Sequence, residues 1–154
     1  MNRIHSLAKA TALLVAATGC SMAFAAGSTT LAVTASVAAT CKFSATSTPL
    51  TFAAIDPSSL SNVTASANVL YKCTKGTASG GVTATGGLTR NMVGPLPADL
   101  LAYTLALSGD TQAGLGFGAG QDRTMLVVGT ITPTQFQNAT VGAYTENVTL
   151  NITP

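Results

Sequence analysis

The chain has 154 residues, enough for one domain and a short tail. Only 8% of them are charged while 47% are apolar, against about 25% charged in an ordinary soluble domain. The formal net charge of +2 owes its excess to Arg3 and Lys9, which lie with the only histidine, His5, in the first ten positions.

Residues 1–25 read as a secretory signal. Arg3 and Lys9 supply a positive start, Ala10-Thr-Ala-Leu-Leu-Val-Ala-Ala17 supplies a short apolar stretch, and Ala23-Phe24-Ala25 is a small-x-small cleavage site. The exported chain is expected to begin at Ala26, after cleavage behind Ala25. The apolar stretch is short of the ~20 residues a membrane span needs, so no stable membrane insertion is expected. A second reading, lipidation at Cys20, rests on a loose lipobox at Ala17-Thr18-Gly19-Cys20 that lacks the usual leucine.

From residue 26 onward the basic residues are Lys42, Lys72, Lys75, Arg90 and Arg123. The acidic ones are Asp56, Asp99, Asp110, Asp122 and Glu146, so the charges cancel. A neutral chain has no electrostatic footprint for nucleic acid, and no nucleic-acid partner is expected. Without histidine there is no Ser-His-Asp triad, no Cys-His pair and no imidazole ligand for a metal. Neither an enzyme nor a cofactor or metal site is expected; a small periplasmic enzyme remains the weakest of the readings. Cys41 and Cys73 are the cysteines left after export. An even pair in an exported chain makes one disulfide most economically, with a loop-closure contribution of about 3–4 kcal/mol. Two buried free thiols are the alternative.

Helix formers are scarce, whereas threonine and valine, stiff at χ1, are abundant. Period-2 runs broken by turn residues dominate. Thr29–Ala39 places Leu31, Val33, Ala35, Val37 and Ala39 on one face. Pro49–Ile55 follows, closed by Asp56-Pro57-Ser58. Ala65–Thr74 carries Val69, Tyr71 and Cys73 on one parity, and Gly81–Gly86 is short. Leu100–Ser108 aligns Leu101, Tyr103, Leu105 and Leu107. Thr124–Ile131 is an apolar run. Ala143–Pro154 alternates Tyr144, Glu146, Val148, Leu150 and Ile152 against threonines and asparagines. About seven short strands separated by turns predict an all-β sandwich. Residues 75–81, 91–99 and 113–120 read as loops, the last as a flexible glycine-punctuated hairpin tip rather than a phosphate loop, since no helix follows it. Glu146 is expected near the sandwich rim, in a surface ion pair with Arg90.

The run Gly142-x-Tyr144-x-Glu146-x-Val148-x-Leu150-x-Ile152 resembles the C-terminal strand of spore coat protein U domains, found in the subunits of archaic, Csu-type chaperone–usher pili. Leu50-Thr-Phe52, Val69-x-x-x-Cys73-Thr74, Leu88-Thr-Arg90-x-Met92, Leu101-Ala-Tyr103 and Gly129-Thr-Ile131 resemble further motifs of that family, in order, over nearly all of residues 30–152. Glu146 stands where many members carry Asp, and Phe117-Gly118 stands where many carry Trp-Gly.

The resemblance implies an incomplete immunoglobulin-like β-sandwich over residues 40–154, preceded by a donor-strand extension at residues 26–39. A periplasmic chaperone, an outer-membrane usher and neighbouring subunits would be the partners. The missing strand would come from the next subunit by β-augmentation, which also covers the open sheet edge. Leu31, Val33, Ala35 and Val37 would insert. Val148, Leu150 and Ile152 would border the groove that receives them. Cys41 and Cys73 would form the family's bridge, and Tyr144, Glu146 and Arg90 would be packing residues of its motifs. The protein would pass through the periplasm to a surface fimbrium supporting adhesion and biofilm. Two alternatives remain open: an ordinary strand at residues 31–37 within the chain's own sheet, and a tip adhesin using Met92, Val93, Leu96, Leu115 and Phe117 as an exposed apolar surface.

Overall fold

The computed structural model describes residues 27–154 except Pro97. The expected signal segment, residues 1–25, and Ala26 after the expected cleavage site lie outside the described residues. The chain divides after Ala35 into two units. In the first, residues 27–35 form no strand, and Leu31 and Val33 are each 82% exposed.

The second unit is all-β apart from one helical turn. Its elements are β1 (Cys41–Phe43), β2 (Val63–Cys73), β3 (Gly81–Ala84), β4 (Thr89–Val93), β5 (Leu100–Ser108), β6 (Arg123–Ile131), α1 (Pro133–Phe136) and β7 (Leu150–Thr153). Two antiparallel sheets result. One has five strands in the order β1-β2-β6-β5-β4, and the other pairs β3 with β7. Seven strands in two antiparallel sheets make an all-β fold, and the sequence expectation of that class holds.

Period-2 alternation decides which face of each strand is buried, because successive side chains leave a strand on opposite sides. Val69, Tyr71 and Cys73 of β2, Leu101, Tyr103 and Leu105 of β5, and Met125, Val127 and Ile131 of β6 point into one core with Val82 and Phe136. Tyr71 is fully buried, yet its hydroxyl donates to Gly109 O at 2.9 Å and accepts from the Gln112 N–H at 3.2 Å. That satisfies the one polar group a buried tyrosine brings with it. Cys41 and Cys73 sit opposite each other in the β1–β2 ladder and are joined by a disulfide.

Several local expectations change. Asn91, Met92 and Val93 belong to β4 rather than to a loop, because Thr89–Val93 pairs in register with Thr104–Leu100 of β5. Pro49–Ile55 is not a strand: it has no ladder partner. Of Ala143–Pro154 only Leu150–Thr153 is a strand, with one further bridge from Thr145 to Val93. The glycine-rich segment is fastened rather than free. Gly114 N donates to Thr77 O, Gly114 O accepts from Gly76 N, and Gly116 N donates to Cys73 O, at 2.8–3.0 Å. A side chain on Gly114 would run into the Cys73 and Thr74 backbone, so glycine is required there for close approach.

Candidate functional site

The two sheets do not close on one side. A groove of about 1270 Å³ opens there, entirely within residues 46–150. Its floor is the inner face of the large sheet, with Val69, Leu101, Tyr103, Leu105, Val127 and Ile131. One wall carries Leu50, Phe52 and Ile55; the other carries Tyr144, Glu146, Val148 and Leu150.

Backbone hydrogen bonding explains why it stays open. In antiparallel pairing a residue turns its N–H and C=O to the same neighbour, and successive residues turn to opposite edges. Thr145 exchanges both bonds with Val93 (2.9 and 3.0 Å), Thr149 O accepts from Thr85 N at 2.9 Å, and Thr153 O accepts from Gly80 N at 2.9 Å. Thr145, Thr149, Asn151 and Thr153 therefore turn their backbone groups toward β4 and the β3 side. Glu146, Val148, Leu150 and Ile152 turn theirs to the other edge, where they meet no main-chain partner among the described residues. Residues 46–55, the facing wall, likewise make no main-chain hydrogen bond among the described residues. Two segments thus present unpaired edges across an apolar floor. Such edges accept a further strand.

The side chains match this arrangement. Tyr144, Glu146, Val148, Leu150 and Ile152 are half-buried, and the residues alternating with them are exposed. Of the three expected to border the groove, Val148 and Leu150 line it. Ile152 lies opposite Val82 in the β3–β7 ladder and packs on the core instead. Tyr144 donates its hydroxyl to Thr140 O at 2.9 Å, four residues upstream. That bond resembles the tyrosine corner of immunoglobulin-type domains.

Glu146 is the one charged residue among the groove lining, and it is not left bare. Its Oε1 accepts from Arg90 Nε at 2.9 Å and from Arg90 Nη2, and its Oε2 accepts from the Tyr103 hydroxyl at 2.7 Å. Arg90 also donates to Thr85 O and to Gly87 O. The ion pair expected at a wet rim is largely buried, the two side chains being 12% and 18% exposed. The physical reason is that residue 146 shares its parity with the groove-facing residues. The hydrogen bonds to Glu146 hold the Arg90 guanidinium even more firmly protonated than usual, against a smaller opposing effect of burial. Burial, with the hydrogen bond to Glu146 in second place, pushes the Tyr103 hydroxyl up to about 12.

Leu50, Phe52, Ile55, Tyr103 and Phe136 are groove residues that sequence reasoning did not assign to it. Alternation over 49–55 was the available signal, but it reads equally well as an ordinary paired strand. Of the remaining sequence-designated residues, Val37 is not in this groove's lining, and Leu31, Val33 and Ala35 belong to the other unit of the chain. The N-terminal chain is fastened at its base: Thr74 N donates to Thr40 O, Thr40 N donates to Thr74 Oγ1, and Thr74 Oγ1 donates to Ala38 O at 3.0 Å, beside the Cys41–Cys73 bridge. Among the described residues no cluster of three or more His, Cys, Asp or Glu is placed to hold a metal ion, and no helix is long and apolar enough to cross a membrane.

No curated protein and no solved structure matches the chain. The Spore Coat Protein U domain matches residues 28–151, a span that takes in both walls of the groove, the disulfide and the extension from Ser28 onward. The chain belongs to the Spore Coat Protein U domain family, a family of structural, pilin-like subunits.

Proposed function

We propose that this protein is a structural subunit of a secreted chaperone–usher pilus and polymerises by donor-strand complementation. The observation that carries the reading is the pair of unpaired main-chain edges, at residues 46–55 and at Glu146–Ile152, on either side of one apolar groove. A single extended strand with alternating apolar side chains would satisfy both edges and fill the floor. The chain carries a sequence of that alternation at residues 29–38, which forms no strand of its own in the structure. Leu31, Val33 and Val37 are all more than 80% exposed, so the four inserting side chains, Ala35 included, are available to a neighbour. During transit a periplasmic chaperone would occupy the groove. At the outer-membrane usher the extension of the next subunit would replace it. Residues 1–25 would direct export, and the disulfide fits an oxidising compartment.

The test is deletion of residues 26–38 in the exported chain, co-expressed with its chaperone and usher. Loss of fibres, with the folded, chaperone-bound subunit still present, is the expected result. Fibres of normal length would refute the donor assignment.

A further inference from the structure

The face of the five-stranded sheet turned away from the groove has a different character from an ordinary protein surface. Ladder pairing sets Thr64 opposite Thr130, Thr130 opposite Thr104, and Thr104 opposite Thr89. Four threonines therefore form one row straight across β2, β6, β5 and β4, on the outward parity of every strand. Further along the same face Leu126 lies opposite Asn68 and Leu70 opposite Thr124; these leucines are 39% and 41% exposed. Among the described residues, the charged strand residues on this face are Lys42 and Lys72, opposite each other in the ladder at its β1 corner, where Asp122 lies 3.5 Å from Lys72 Nζ. From β6 to β4 the outward positions carry no charge.

We propose that this face is a self-association surface that packs against the same face of a second copy of the chain. Four points support that occupant. An uncharged surface is complementary to itself, whereas a charged partner would find nothing to pair with. Its threonine, serine and alanine side chains are short, so two sheets can approach to the usual spacing of about 10 Å. A two-fold pairing, in which each copy offers the same patch, can place the lysine corners at opposite ends. Four strands about 4.8 Å apart and some six residue rises long cover about 400 Å². Two copies would then bury about 800 Å², the size of a weak, transient contact rather than of a stable interface. One such contact is weak. On the donor-strand reading each subunit of a fibre repeats the face at fixed spacing, so contacts between two fibres add as avidity. The expected consequence is side-by-side bundling of fibres.

The experiment uses the full exported chain with a single added thiol and a short bismaleimide. Thr104→Cys, at the centre of the face, should give a crosslinked dimer. Thr149→Cys, exposed on the outer side of the smaller sheet, should not. Adding Leu126→Lys to the Thr104→Cys chain should cut the dimer at least fivefold, and fibres carrying Leu126→Lys should lie singly in electron micrographs. Equal crosslinking at both positions, none at Thr104, or dimer unchanged by Leu126→Lys would each overturn the proposal. Dimers through Thr104 in a preparation that forms no fibres would support the face contact while refuting the donor-strand reading.

Discussion

Glu146 shows how one residue can serve an apolar groove while carrying a charge. All its acceptor capacity toward the interior is taken by Arg90 and Tyr103, so the groove floor receives a neutralised, hydrogen-bonded pair rather than a bare carboxylate. Removing one partner from a largely buried pair leaves the other uncompensated, which costs more than the pair contributes. Glu146→Gln keeps the shape and strands the Arg90 charge. It is expected to destabilise the fold by about 2 kcal/mol and to lower the Tm by about 5 °C, measured by thermal unfolding at neutral pH. Tyr103 sets a second expectation. Its folded pKa, about 12, lies above the ordinary value of 10.0. The unfolded chain therefore loses this proton first, and stability is present in full below pH 10 and declines as pH rises toward 12. Denaturant titrations across that range should show the decline, and Tyr103→Phe should flatten it.

At the scale of elements, the wall at residues 46–55 is held by packing rather than by a ladder. Phe52 sets its ring edge-on to Tyr103, with centroids 6.2 Å apart and planes at 77°. A methyl group on Gly129, in the middle of β6, would come within 2.7 Å of Phe52 Cζ and 3.0 Å of Leu50 Cδ2. Gly129→Ala should therefore displace this wall, cost about 1–3 kcal/mol as an overpacked core does, and weaken uptake of a synthetic peptide of residues 29–38 in a binding titration. The disulfide joins β1 to β2 at the base of the extension. Replacing both Cys41 and Cys73 by Ala should cost about 2–4 kcal/mol, seen as a lower denaturation midpoint under non-reducing conditions. Strands β2 and β5 were legible from alternation and β6 from an apolar run, since each turns one parity toward the core. β4 was harder to see: Thr89–Val93 has no apolar face of its own, and Arg90 occupies an inward position only because Glu146 meets it there. Residues 49–55 alternate like a strand yet have no ladder partner, and a sequence pattern records the buried face but not which backbone edge is paired.

For the whole molecule, the seven strands leave a groove whose two walls have no main-chain partner between them among the described residues. Filling that site should stabilise the entire fold, because anything that binds only the folded state shifts unfolding by mass action. A chain with residues 27–39 appended after Pro154 through a flexible linker should complement itself. Burying Leu31, Val33 and Val37, at about 1.5–3 kcal/mol each, should raise the Tm by roughly 15 °C and abolish fibre growth. Calorimetry and electron microscopy check the two halves of that expectation.

The sequence by itself determined the class of the molecule. Beta-branched, threonine-rich alternation points away from a helical fold, and the paired cysteines and ordered motifs point to the family. Tertiary structure alone decided which edges are paired, that Glu146 belongs to a largely buried cluster, and that threonines from four strands fall into one uncharged row. Each of these depends on register between distant segments. Local patterning specifies which face of a strand turns inward, while hydrogen-bond partners and cross-strand neighbours exist only once the strands have met.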